Sequence, residues 1–288
     1  MFTLLQSPQF ERRPQPTPEN VGATISSPEP PRPPALRPYY DALFAAHGPQ
    51  RWWPGRTPFE IIAGAIMVQN TSWTNVASAI ENLRREKLLT PRAIETVSTP
   101  RLARLIRSSG YFRQKARKLK SFVRLLRREY QGSLPKMFRA PTSVLRQQLL
   151  GVHGIGPETA DSILLYAAKH PVFVVDAYTR RILERHGLAS AKLSYEDARQ
   201  LFEQSLSPDV ALYNEFHALI VHTGKHFCRP REPRCGECPL KALLPATPPV
   251  QMEGLGLPRL WQPLSKPSSE PFLAPPSDTL PERTATAR

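Results

Sequence analysis

The chain has 288 residues, 33 of them proline, and sets 39 Lys and Arg against 24 Asp and Glu, a formal charge of +15. That length allows one or two domains with a real core, and that charge favours a polyanionic partner. No apolar run is long enough to span a bilayer, MFTLLQSPQFERRPQPTPEN lacks the order of a secretory signal, and the cysteines are confined to 228–238, so a cytosolic protein without a disulfide framework is expected.

Residues 1–36 are rich in Pro, Ser and Glu and offer little apolar area against their ordering entropy, so a disordered tail is expected there. A second Pro-rich tail is expected over 245–288, with Leu255–Leu264 as its one apolar patch. The folded part is then 37–244, a single-domain size.

Within it nearly everything reads helical. Thr57-Pro58 is a cap followed by a first-turn proline, and FEIIAGAIMVQ continues as an apolar helix that should be central. Asn75–Glu86 is amphipathic through Val76, Ile80 and Leu83. Thr99 is read as the cap of PRLARLIRSSG, with Gly110 as its stop. Arg113–Tyr130 is strongly basic, with an apolar face at Ala116, Leu119, Phe122, Val123 and Leu126. Part of it is expected to track a phosphate backbone. Pro141–Leu150, a helix opening at Pro157, Asp176–His186, Tyr195–Ser205 and Pro208–Gly224 complete the set. The β-branched run Val172–Val175 is too short for a sheet and reads as a buried connector.

The stretch Leu149–Ile182 carries the densest signal. Gly151, Gly154 and Gly156 fall within six residues and a proline-started helix follows at once. Glycines permit φ > 0 and close approach, and a helix start presents unpaired N–H groups, so the turn reads as an anion site. A plain tight turn between two helices is the competing reading.

GVHGIGPETADSIL followed by VVDAYTRRI resembles the helix–hairpin–helix, Gly/Pro-rich loop and aspartate signature of the endonuclease III superfamily of DNA glycosylases. MVQNTSW, GYFRQKARKLKSF and CRPREPRCGECP extend the resemblance over most of the folded part. It implies an all-α, two-lobed fold that binds double-stranded DNA as a monomer and turns the target base out between the lobes. A cytoplasmic, nucleoid-associated protein of a bacterial-type cell is expected. It implies catalysis by Asp176, whose anion would stabilise the sugar's developing positive charge and orient the attacking water. It implies DNA contacts at Gln69, Gly151, Gly154, Ile155, Gly156 and Thr159, with Gln69 filling the space of the extruded base.

Three departures refine the expectation. Glu158 stands where members with lyase activity carry a lysine; a carboxylate forms no imine, so a monofunctional enzyme is expected, with Glu158 helping to hold the water. Trp52, Trp53 and Trp73 resemble the branch that removes 3-methyladenine, where aromatics line the base pocket and stacking contributes ~1–3 kcal/mol. Cys228, Cys235 and Cys238 match the family's iron–sulfur loop, but the fourth cysteine, due about six residues later, is missing. Three thiolates could hold a smaller cluster, or a four-iron cluster with an outside ligand such as His226. The loop could equally fold without metal, with Arg229, Arg231 and Arg234 on phosphate. An enzyme of the same family acting on oxidised pyrimidines and a non-catalytic hairpin protein are the alternatives.

Overall fold

The computed structural model describes residues 34–190 and 192–245. The expected tails therefore lie almost wholly outside the described residues, as does Leu255–Leu264. The described chain is all-helical, with no strand. None of its helices is long and apolar enough to cross a membrane.

Helices α1 (Arg37–His47), α2 (Pro58–Met67), α3 (Trp73–Arg85), α4 (Pro91–Thr96), α5 (Thr99–Leu105), α6 (Phe112–Tyr130), α7 (Leu134–Phe138) and α8 (Thr142–Leu150) lead to the hairpin turn. After it come α9 (Pro157–Ser162), which continues as a π-type turn over Ile163–Ala168, then α10 (Ala177–Arg185), α11 (Tyr195–Ser205) and α12 (Val210–His226). Thr57 caps α2 as expected, its hydroxyl accepting from the Glu60 N–H at 3.2 Å. Thr99 does not cap: Ser98 holds the N-cap position of α5 and Thr99 is its first helical residue. The short helices α4 and α7 escape the periodicity because each has too few turns to show a face, and α1 was not among the expected helices. Val172–Val175 is the buried connector expected, with no ladder partner.

Two apolar cores form. The first gathers α2 to α9, including Ala116, Leu119, Phe122, Val123 and Leu126 of the basic helix α6. The second gathers Leu36 and α1 with Phe173–Val175 and α10 to α12. Leu36, only 1% exposed, thus belongs to the second core although its composition places it with the tail. The π-type turn serves both, with Ile163 and Leu164 in the first core and Leu165 and Tyr166 in the second. Trp53 and Ile61 pack against both. These are the two lobes, and the tryptophans stand where they meet.

Candidate active site

The hairpin is built from the core outward. Val152 and Ile155 are buried, and the Ile155 N–H donates to the Val152 carbonyl at 3.0 Å, closing the turn. The Ile155 side chain is thereby committed to the first core, leaving only its backbone for a ligand. The three glycines are not equivalent. Gly154 has φ +84°, and a Cβ there would lie 2.5 Å from Cε of Lys118. Gly151 is ordinary right-handed backbone, and Gly156 is extended with open space beside it. Only Gly154 is required by the free protein's own conformation.

Gln69, at the end of α2, is tied to this turn. Its amide donates to the Gly154 carbonyl at 3.2 Å and to the Thr159 hydroxyl at 2.8 Å, and its carbonyl oxygen accepts from Lys118. Three residues singled out for DNA contact are thus one bonded unit, joined to α6 through Lys118.

Asp176 follows the buried connector as the N-cap of α10. Its Oδ1 accepts from the Thr179 N–H at 2.8 Å and the Thr179 hydroxyl at 2.9 Å. Its Oδ2 faces Nε2 of His217 on α12 at 3.7 Å. The carboxylate is therefore held by one oxygen and offered by the other. Glu158 is half-buried in the first turn of α9. Burial, then the nearby Asp176 charge, pushes its carboxyl up to about 8 against the opposing pull of Arg180. A neighbouring charge of the same sign favours such a shift, and Glu158 holds its proton at neutral pH.

The tryptophans stand together. Trp53 meets Trp73 edge-on at 5.2 Å and Trp52 at 5.3 Å, and lies 5.1 Å from Tyr166. Gly64, inside the buried helix α2, makes room for them: a Cβ there would lie 3.3 Å from both indoles. The Nζ of Lys225 sits 5.9 Å over the Trp52 ring, and Asp176 acts on it electrostatically. Tyr166, His217, Arg180 and Lys225 were missed from sequence. His217 lies in an apolar helical run where a buried histidine looks like core, and no short motif links it to Asp176.

The cysteine loop shows a different order. Cys228 is buried, Cys235 and Cys238 are half-exposed, and all three are free thiols. They line a small cavity with Arg185, Leu240 and Leu244. Leu244 stands six residues beyond Cys238, where a fourth thiolate is required. His226 does not line the cavity; its ring lies 4.5 Å from His222 instead. Arg185 donates to the Cys228 sulfur at 3.3 Å and to the carbonyls of Arg229 at 2.6 Å and Pro230 at 2.8 Å. Arg181 donates to the Cys228 carbonyl at 2.7 Å. Among the described residues no group of His, Cys, Asp or Glu is arranged to hold a metal ion. The residues present do not fit a complete four-iron cluster.

The HhH-GPD superfamily of base excision DNA repair proteins matches residues 63–208, which run from within α2 through the hairpin and Asp176 to past the end of α11. The chain belongs to this superfamily. Its relatives include MJ1434 of Methanocaldococcus jannaschii, named as a DNA repair glycosylase, 43% identical over 70% of this chain and 92% of that one. Endonuclease III of Thermotoga maritima is 30% identical over 64% of this chain and 81% of its own. Among solved structures, H. pylori 3-methyladenine DNA glycosylase bound to 1,N6-ethenoadenine is 29% identical, with a TM-score of 0.57 over 65% of this chain and 96% of that one. A trapped endonuclease III–DNA covalent intermediate shares the fold at a TM-score of 0.63 and 23% identity, over 72% of this chain and 93% of that one. As an HhH-GPD member the protein is a DNA glycosylase of base excision repair.

Proposed function

We propose that this glycosylase hydrolyses the bond between deoxyribose and an alkylated, 3-methyladenine-like purine in double-stranded DNA, and leaves an abasic site. The observation that carries this reading is Asp176 with the Glu158 carboxyl in its field, joined to a cluster of three tryptophans through Lys225 over Trp52. As the glycosidic bond lengthens, positive charge grows on the sugar, and the offered Oδ2 of Asp176 stabilises it in a dry, pre-set site. Glu158, still protonated at neutral pH, donates a hydrogen bond to the water or to the departing base. Trp52, Trp53 and Trp73 take the extruded base by stacking, and electron-rich rings favour a cationic one. Gln69 fills the space left in the duplex, while the backbone of Gly151–Gly156 and the first turn at Thr159 grip a phosphate. The H. pylori relative's alkylated-base ligand agrees with this choice of substrate. The cysteine loop is fastened by its arginines, and its three thiols do not complete the ligand set of a four-iron cluster.

A second reading, a glycosylase that also cleaves the strand, is favoured by one observation: Lys225 brings an amine over Trp52 and into the field of Asp176. It also suits the relatives named endonuclease III. Base release from methylated and from oxidised duplexes separates the two. The first reading expects release from methylated DNA, loss of about a hundredfold or more in rate for Asp176→Asn, and no covalent adduct with abasic DNA under borohydride. An adduct that vanishes in Lys225→Met would establish the second. Full activity in Asp176→Asn would remove the assigned carboxylate.

A further inference from the structure

The two oxygens of Asp176 have different neighbours. Oδ1 takes both bonds from Thr179 and closes the cap of α10. Oδ2 takes neither, and 3.7 Å away stands Nε2 of His217. His217 is 4% exposed, and its Nε2 is buried with no hydrogen-bond partner. A buried nitrogen left unpaired demands a reason. The rest of the ring's surroundings supply one.

The other ring nitrogen, Nδ1, lies 2.5 Å from the Tyr166 hydroxyl. A carboxylate oxygen only accepts. A neutral ring turned towards Asp176 Oδ2 therefore carries its proton on Nε2, and Nδ1 is left to accept from the Tyr166 O–H, a bond at the far nitrogen that holds this tautomer. Burial holds the imidazole below its usual protonation range, against the opposing pull of Asp176, so the ring is neutral at neutral pH. The titratable groups around this pair are Tyr166 on the π-type turn, Glu158 on α9, Tyr178 on α10 and Lys225 on α12.

We propose that His217 is a positioning residue for Asp176: the buried pair Tyr166–His217 fixes an Nε2–H donor opposite the carboxylate oxygen that does the chemistry. The Tyr166 ring lies 5.1 Å from that of Trp53, so the pair that orients Asp176 stands behind the tryptophans. The donor favours the ionised carboxylate and limits its rotation about the cap. This inference rests on the assignment of Asp176 above and adds a residue that no contact with substrate would reveal.

Nitrogen NMR of the full chain with labelled histidine reads the tautomer directly. Near neutral pH His217 should show a protonated Nε2 and a bare Nδ1, and Tyr166→Phe, which keeps the ring's volume and removes the O–H, should give a mixture of both forms. Single-turnover base release from methylated duplex is the second readout. His217→Phe should slow it about tenfold to a hundredfold, the usual effect of losing an orienting partner. It should also move the fall-off on the acid side to higher pH. His217→Gln, whose amide still donates, should restore the parent's acid side. Protonation at Nδ1 in the parent, or the same acid-side profile in His217→Phe as in the parent, would overturn the proposal. If His217→Phe fails to fold, Tyr166→Phe decides by the same two measurements. Asp176→Asn run beside them tells the failures apart: an active Asn variant removes the assigned carboxylate, whereas the tautomer is measured without substrate.

Discussion

At neutral pH Glu158 keeps its proton, because burial and the Asp176 charge have moved its carboxyl from 4.5 to about 8. The consequence for stability has a definite sign. Below pH about 4.5 the acid is protonated whether the chain is folded or not, and its contribution is fully present. Between 4.5 and about 8 the folded protein binds this proton more tightly than the unfolded chain, so stability drains as pH rises and is lost above that window. Calorimetric Tm values across the window should fall more for the parent than for Glu158→Gln, which has no proton to lose. Parallel curves would show that Glu158 ionises freely. At this scale the sequence was legible where a residue type breaks a motif, as with Glu158, or heads one, as with Asp176. Tyr166, His217 and Lys225 were not, because each reaches the site from a separate turn of chain and joins only through packing.

Between α8, α9 and α11 lies an ion pair that fixes the hairpin from behind. Arg146 on α8 forks onto both oxygens of Asp161 on α9, at 2.7 and 3.1 Å, and reaches Glu196 on α11 at 2.6 Å. Asp161 is wholly buried, and burial pushes its carboxyl up while Arg146 opposes it. Removing one partner strands the other, so Arg146→Ala should cost about 3–5 kcal/mol in denaturant unfolding. A loss below ~1 kcal/mol would mean that the pair is solvated, as exposed ion pairs are. In the turn itself, Gly154→Ala should cost ~1–2 kcal/mol for its left-handed backbone. It should also displace the Lys118 stem, and with it Gln69, weakening DNA affinity; Gly156→Ala, with open space and extended backbone, should leave stability unchanged. Equal stability loss at the two positions would contradict the geometry. The glycine cluster pointed to this turn correctly, but sequence gave the three positions one meaning where backbone angles give them separate ones.

On the scale of the whole molecule, α10 joins the two unusual features. It begins at Asp176, and further along it carries Arg181 and Arg185, which hold the cysteine loop by its carbonyls and one sulfur. Six-residue spacing told of a missing ligand with leucine in its place, yet only the fold shows that arginine does the fastening. Purified protein should therefore be colourless, without iron by elemental analysis, and Arg185→Ala should lower its Tm more than Cys235→Ser does. Stoichiometric iron with absorption in the visible sulfur-to-iron bands would reverse that expectation. The helices followed from periodicity, since each has an apolar face to bury, whereas the two lobes followed from the family resemblance. Their meeting line did not, because Trp53 serves both cores at once.

Gly64 sits on that line from the inside, one hydrogen atom facing the edges of Trp53 and Trp73. A methyl group there would have to press on both indoles by a few tenths of an ångström, from the dry side. In the proposed pocket, the aperture for a nucleobase is thus set by a residue that no nucleobase can reach, and a lineage could retune what it accepts by changing a helix interior while every surface in view stays the same.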